Sequence, residues 1–374
     1  MRSPLRSTAV AALALLVLGL GVLLASCGKN SSLVTSPTPS APEVAMGLRV
    51  SPGELQVAMR VQEENTADLL RTAGVVGTAI TADVDGQPAI MILTESAMGG
   101  RLPALIGKYH VVEEVTGKIH ALKGGGGGTS HTTLQTPPIQ LGTSGGNVND
   151  IANGFCCSGT LGSLVHIGVT QYILSNSHVF VGDVVAGGNG RVSQIGDNIN
   201  QPGLVDNNCS AANTNIVANV SSLSTVYPPT STPNVDCAIA QVIAGEVQTN
   251  GSILEIGTLS ATTVGASVGQ AVKKSGRTTG LTRSTISGLN ATVNVGYETE
   301  CAGTSFTKTF TGQLLVRNRR SAFLNSGDSG SLMVEDVTTN PRAVGLLFAG
   351  GGGIAVANPI GDVLSVLGAS MVGQ

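Results

Sequence analysis

The sequence predicts a mainly β protein, and three observations carry that prediction. Glycine is abundant, 51 of 374 residues, and tryptophan is absent. From residue 155 onward, short β-branched runs such as "QYILSN", "VDCAIAQVI", "QLLVRN" and "AVGLLFAG" alternate with Gly, Asn, Pro and Ser clusters. Helix signals are confined to one stretch near each end. Runs at this spacing point to antiparallel barrels or sandwiches. The length admits two or three domains and a sizeable core. With a formal charge of -3, 11% charged residues and no Lys/Arg cluster, nucleic acid finds little to bind and is not an expected partner.

At the N-terminus, residues 1–26 read as an export signal: Arg2 and Arg6 are followed by an uncharged apolar run from Ala9 to Ala25. A plain transmembrane anchor is the other reading, since the run nearly reaches the ~18 residues that span a bilayer. Leu24-Ala25-Ser26-Cys27 resembles the lipobox of bacterial lipoproteins, which implies acylation of Cys27 and membrane anchoring by several acyl chains. Residues 27–46, rich in Ser, Pro and Thr, are a tether. Gly28 lacks the aspartate that marks inner-membrane retention. The expected location is therefore the cell envelope, at the outer membrane, its periplasmic face or the cell surface.

Residues 47–122 are expected to form a small α+β domain. Ser51, Pro52 and Glu54 set up a capping box for a helix from Pro52 to about Thr72. "VVGTAITA" and "PAIMILTE" flank the hairpin signal Asp85-Gly86, and "YHVVEEVTGKIHAL" supplies a further strand. This domain is read as a pro-domain, an assembly surface or a spacer. Residues 123–153, with five glycines from Gly124, are expected to be a flexible linker, whose cleavage would free the C-terminal domain from its anchor. Residues 154–374 carry the β pattern and end in a helix, with Asn358 as N-cap, Pro359 at its first position and Ile360, Val363, Leu364 and Leu367 on one face.

Beyond Cys27 stand Cys156, Cys157, Cys209, Cys237 and Cys301. The odd count leaves at least one free or intermolecular thiol. Cys209 with Cys301 is the expected disulfide, both lying in polar stretches. No Cys/His spacing suits zinc, and neither a metal nor a cofactor is expected.

"NSGDSGS", residues 325–331, holds a serine between glycines. A serine hydroxyl attacks a carbonyl at neutral pH only when a base takes its proton. Of the five histidines, His110, His120 and His131 precede the β region, His166 sits in the apolar "SLVHIGV", and His178 ends "SNSH" on a turn. Asp236, in the otherwise apolar "NVDCAIAQV", is the carboxylate suited to orient an imidazole. His178, Asp236 and Ser329 stand 58 and 93 residues apart in the order His, Asp, Ser. That order belongs to chymotrypsin-type peptidases, not to subtilisins or α/β-hydrolases. "GTSGG" at Ser144 and "GASVG" at Ser267 match the nucleophile elbow of α/β-hydrolases but lack its strand-turn-helix context, which removes a lipase or esterase reading.

"GDSGS", "SNSH" and "VDCAIA" together resemble the active-site blocks of trypsin-like serine peptidases. "ILSNSHV", "GDNINQPG", "KKSGRTTG", "AVGLLFAG" and "ANPI" further resemble bacterial relatives of the plant narrow-leaf-type peptidases. The resemblance implies two six-stranded antiparallel barrels and a polypeptide substrate. Ser329 would be the nucleophile, His178 its base and Asp236 the orienting carboxylate, with the Gly327 and Ser329 amides as the oxyanion hole. Asp328 would need a cation, expected from Lys274 or Arg277. Phe323 at the pocket base disfavours Lys or Arg before the scissile bond, and Phe348, Ala349 and Gly350 would pair with substrate as an added strand. The competing reading is a catalytically silent binding or scaffold lipoprotein on a peptidase fold.

Overall fold

Ser51 starts the first helix, α1 (Pro52–Leu70), by local chemistry: its hydroxyl accepts from the Glu54 amide, and the Glu54 carboxylate accepts from the Ser51 amide. The structure, a computed structural model, describes residues 47–122, 129–152, 155–181, 193–221, 232, 234–297, 305–319 and 323–374. The export signal, Cys27, the tether and Cys301 lie outside these residues. Residues 44–374 form one compact unit, and no described helix is long and apolar enough to cross a membrane.

After α1 come β1 (Val75–Ala82) and β2 (Pro88–Thr94), an antiparallel pair turning through Gly86 at φ +76°. β3 (Leu105–Ile106), β4 (Tyr109–Val115) and β5 (Ile119–Ala121) follow. β4 runs parallel to β2. Gln62 and Thr66 of α1 are buried and meet Thr78 of β1 through their side chains.

The first barrel comprises β6 (Thr143–Asn147), β7 (Gly159–Leu161), β8 (Ser163–Ile167), β9 (Thr170–Ser175), β10 (Asn198–Gln201), β11 (Asn215–Val220) and β12 (Ala238–Val242). The antiparallel order β6-β10-β11-β12-β9-β8 closes because β7 continues β8 across Gly162 and pairs back to β6. β7 and β8 thus act as one bent strand, giving six. The second barrel comprises β13 (Ala271–Gly276), β14 (Gly280–Tyr297), β15 (Phe306–Arg317), β16 (Leu332–Glu335), β17 (Ala343–Gly350) and β18 (Ile354–Pro359). Its antiparallel circuit is β13-β16-β17-β18-β15-β14, closed by β14 on β13. The mainly β, two-barrel architecture is the one the sequence resemblance implied.

At 18 residues β14 outruns the barrel, and its far half pairs antiparallel with β1. Residues 75–115 therefore continue the second barrel's sheet edge to edge. Buried apolar residues of the first barrel form one cluster with Leu332, Leu346 and Ile360 from beyond it.

Three expectations need correction. β6 lies inside the stretch read as a linker. Its "TSGGN" shows no apolar period because its buried side chains are polar and the barrel leaves no room for one at Gly145, where a Cβ would sit 2.4 Å from Leu161 Cδ2. Asn358 caps nothing; it is the penultimate residue of β18, and the C-terminal helix (Ile360–Leu367) starts after Pro359. Cys209 pairs with Cys156, at a Cα–Cα distance of 5.4 Å, and not with Cys301. Connectivity among several cysteines is set by folded proximity, which spacing does not encode.

Candidate active site

β9 ends at Ser175, and the chain turns at Asn176 into a one-turn helix (Ser177–Phe180), which carries His178. The Asn176 amide group donates to the Asp236 carbonyl at 2.7 Å, tying this turn to the segment entering β12. His178 is 8% exposed and Asp236 fully buried. Nδ1 of His178 lies 2.6 Å from Asp236 Oδ2, and the His178 backbone amide donates to Oδ1 at 3.2 Å. A buried carboxylate accepting from Nδ1–H fixes the tautomer whose Nε2 carries a free lone pair. His178 Nε2 is buried and has no hydrogen-bond partner among the described residues.

Two further residues hold Asp236, and the sequence marked neither of them as a site residue. Tyr297, at the end of β14, donates its hydroxyl to Oδ2 at 2.9 Å and sets its ring edge-on to His178, centroids 5.9 Å apart. Burial first, and then the Asp236 charge, push the phenol well above the ordinary tyrosine value, so it remains a donor. Asn358, fully buried, accepts from the Asp236 amide at 2.8 Å and donates to Gln313 at 2.6 Å. Tyr297 stands in no motif, and "ANPI", which holds Asn358, gives no sign of this contact; both residues reach Asp236 from the other barrel.

Tyr297→Phe removes one hydrogen bond to a buried charge and is expected to lower stability by about 1.5–3 kcal/mol. A thermal melt beside wild type checks it. Cys237, beside Asp236, is a free buried thiol. Burial first and the Asp236 charge second push it up to about 12, so the thiolate is absent at neutral pH. Iodoacetamide is expected to leave Cys237 unmodified in native protein and to alkylate it in denaturant.

Ser329 stands on the turn before β16 and is fully buried. Gly327 and Gly330 adopt φ +95° and +93°, a region glycine enters without steric cost. A Cβ on Gly330 would also lie 2.2 Å from Ser175 Oγ. Thr160 of β7 grips the turn from the first barrel, its amide donating to the Ser329 carbonyl and its hydroxyl to the Gly327 carbonyl. A Cβ on Gly159 would meet both the Ser329 carbonyl (2.9 Å) and Val179 Cγ2 (2.5 Å), so the turn abuts the helix bearing His178. The Ser329 hydroxyl donates to the Phe348 carbonyl at 3.1 Å.

Thr278 donates its hydroxyl to the Ser326 carbonyl at 2.6 Å. In a planar trans peptide, fixing that carbonyl aims the Gly327 N–H the opposite way. The Gly327 amide donates to the Leu122 carbonyl at 3.0 Å. Of the expected substrate-pairing residues, Phe348 accepts from the Leu122 amide at 3.3 Å, while Ala349 and Gly350 pair antiparallel with Ala121 and His120. Phe323 is buried in the cluster that also holds Leu324, and Leu122 packs against that cluster.

Asp328 is fully buried, with Lys274 Nζ 3.3 Å from its Oδ2. Oδ1 accepts from the Thr278 and Thr279 amides, and Oδ2 from the Thr279 hydroxyl and the Asn325 amide. Burial lowers the Lys274 amine below the ordinary lysine value, and Asp328 opposes this. Arg277 goes elsewhere: its guanidinium makes a two-pronged pair with Asp206 of the first barrel, both contacts 2.6 Å. Ser144 Oγ donates to the same carboxylate at 2.5 Å, so that serine is a strut in β6.

Residues 232–356 match the family model of the Nal1 C-terminal domain, a span that includes Asp236 and Ser329 but not His178. No curated protein matches the chain. Among solved structures, a glutamic acid specific serine protease, described as using a histidine triad in substrate binding, is 18% identical; it covers 62% of this chain and 100% of that one, TM-score 0.41. Thermobifida fusca protease A is 20% identical over 63% and 99%, TM-score 0.40. Cellulomonas bogoriensis chymotrypsin is 19% identical over 63% and 99%, TM-score 0.38.

Proposed function

We propose that this chain is an exported serine endopeptidase, held to the cell envelope through acylated Cys27. Ser329 attacks a peptide carbonyl, His178 Nε2 takes the hydroxyl proton and returns it to the leaving amine, and Asp236 orients the imidazole and balances its charge. The Gly327 and Ser329 amides receive the oxyanion, a single such donor contributing about 3 kcal/mol. The observation that carries this reading is the state of His178. One ring nitrogen is locked on a buried carboxylate and the other is buried without a partner among the described residues. A buried polar atom left unsatisfied costs about 1–3 kcal/mol, and a reacting hydroxyl is the partner that offsets it.

The hydrogen bond from Ser329 to Phe348 favours a second reading, the catalytically silent scaffold. The catalytic reading requires the hydroxyl to turn from Phe348 to His178. Hydrolysis of a mixed peptide library by wild type and by Ser329→Ala separates the two. New peptide termini made by wild type alone support the peptidase; uncut libraries together with no fluorophosphonate adduct on Ser329 support the scaffold.

A further inference from the structure

Residues 119–122 lie in the cleft in the manner of a substrate's acyl half. β5 is inserted between β14 and β17, parallel to the first at Val295 and Gly296 and antiparallel to the second at Ala349 and Gly350. Beyond it, the Leu122 amide reaches the Phe348 carbonyl and the Leu122 carbonyl reaches the Gly327 amide. A carbonyl on that amide, two residues before Ser329, is where a scissile carbonyl would be polarised. The side chain agrees with the backbone: a Cβ on Gly350 would sit 3.0 Å from Leu122 Cδ1, and Leu122 packs on the apolar cluster of Phe323 and Leu324. The approach is held from upstream too, since Gly352 donates to the Thr116 carbonyl at 2.6 Å, and a Cβ on Gly351 would meet that same carbonyl at 2.6 Å.

We infer that the protein cuts its own chain on the C-terminal side of Leu122, selecting leucine through the pocket at Phe323 and Leu324, and keeps residues 119–122 in the cleft afterwards as a resident blocking strand. The inference rests on the peptidase reading of Ser329. Ser329 Oγ adds to the Leu122 carbonyl carbon as His178 Nε2 takes its proton. The bond to the Lys123 nitrogen breaks, and that nitrogen leaves with the proton from His178. Water then adds to the ester, giving its proton to His178, and releases Leu122 as a free carboxylate with Ser329 restored. The cut strand stays because β5 remains paired to β14 and β17, while β1 remains paired to β14. Ser329 is fully buried with this strand in place, so external substrates wait on its displacement.

The test uses the full chain as wild type, Ser329→Ala and Leu122→Asp, each subjected to intact mass, N-terminal sequencing and fluorophosphonate labelling. Wild type is expected to yield one fragment ending at Leu122 and one beginning at Lys123, which co-elute in native gel filtration and part in denaturant. Ser329→Ala stays whole and unlabelled. Leu122→Asp loses the cut and labels at Ser329 faster than wild type, because a carboxylate does not enter an apolar pocket. Labelling at Ser329 in a wild type that stays whole, or is cut elsewhere, overturns the inference and leaves the peptidase standing. Fragments that separate without denaturant overturn the retained strand. Neither label nor cut in any form overturns both readings.

Discussion

Asp236→Asn is expected to lower kcat about 10⁴-fold while leaving the fold intact. The carboxylate accepts from the His178 amide, His178 Nδ1 and the Tyr297 hydroxyl. An asparagine of the same shape still fills the site, but its NH₂ group cannot accept from Nδ1–H. The imidazole then takes the tautomer with its proton on Nε2 and can no longer receive one from Ser329. Kinetics on a peptide substrate, beside a thermal melt, separate this from unfolding: activity collapses while Tm holds. A drop in both together would mean that Asp236 serves the fold alone.

Lys274→Met is expected to be the most destabilising single change at the site. Lys274 and Asp328 are both fully buried, 3.3 Å apart. Removing one partner of a buried pair costs about 3–5 kcal/mol, because the remaining charge stays desolvated. For a domain of this size that is a fall in Tm of roughly 10 °C. Asp328 also accepts from the amides of Thr278, Thr279 and Asn325, so its loss of balance reaches the Gly327 turn and activity falls with stability. Adding Asp328→Asn to Lys274→Met is expected to recover part of the lost Tm: no uncompensated charge then remains, but the new NH₂ group cannot accept from the two donors that meet one carboxylate oxygen. A double variant no more stable than the single would mean that Lys274 contributes by packing.

What the sequence discloses is what local chemistry decides. The capping box of α1 and the Asp85-Gly86 hairpin are legible because their partners lie within a few residues. Order and spacing single out His178 with Asp236, whose contact spans 58 residues, because the motif blocks accompany them. β6 is hidden because its buried side chains are polar and the barrel's crowding demands Gly145, so the apolar alternation that marks a strand is missing. Asn358 reads as a cap because Asn before Pro is a helix-start signal, yet its side chain is taken by Asp236 and Gln313. Lys274 and Arg277 are equivalent on paper; only the fold sends one to Asp328 and the other to Asp206. The seating of Leu122 on Gly327 is illegible for the same reason, being a contact between distant parts of the chain with no side-chain signature.

The central claim is that Ser329 is a nucleophile activated by His178. Peptide mapping after treatment with a fluorophosphonate tests it most directly, using the folded full chain and its Leu122→Asp variant, in which residues 119–122 are expected to leave the cleft. The expected result is one phosphonyl adduct, on Ser329, abolished by His178→Ala as well as by Ser329→Ala. Folded protein that carries no adduct on Ser329 in either form, or carries it undiminished without His178, would contradict the claim.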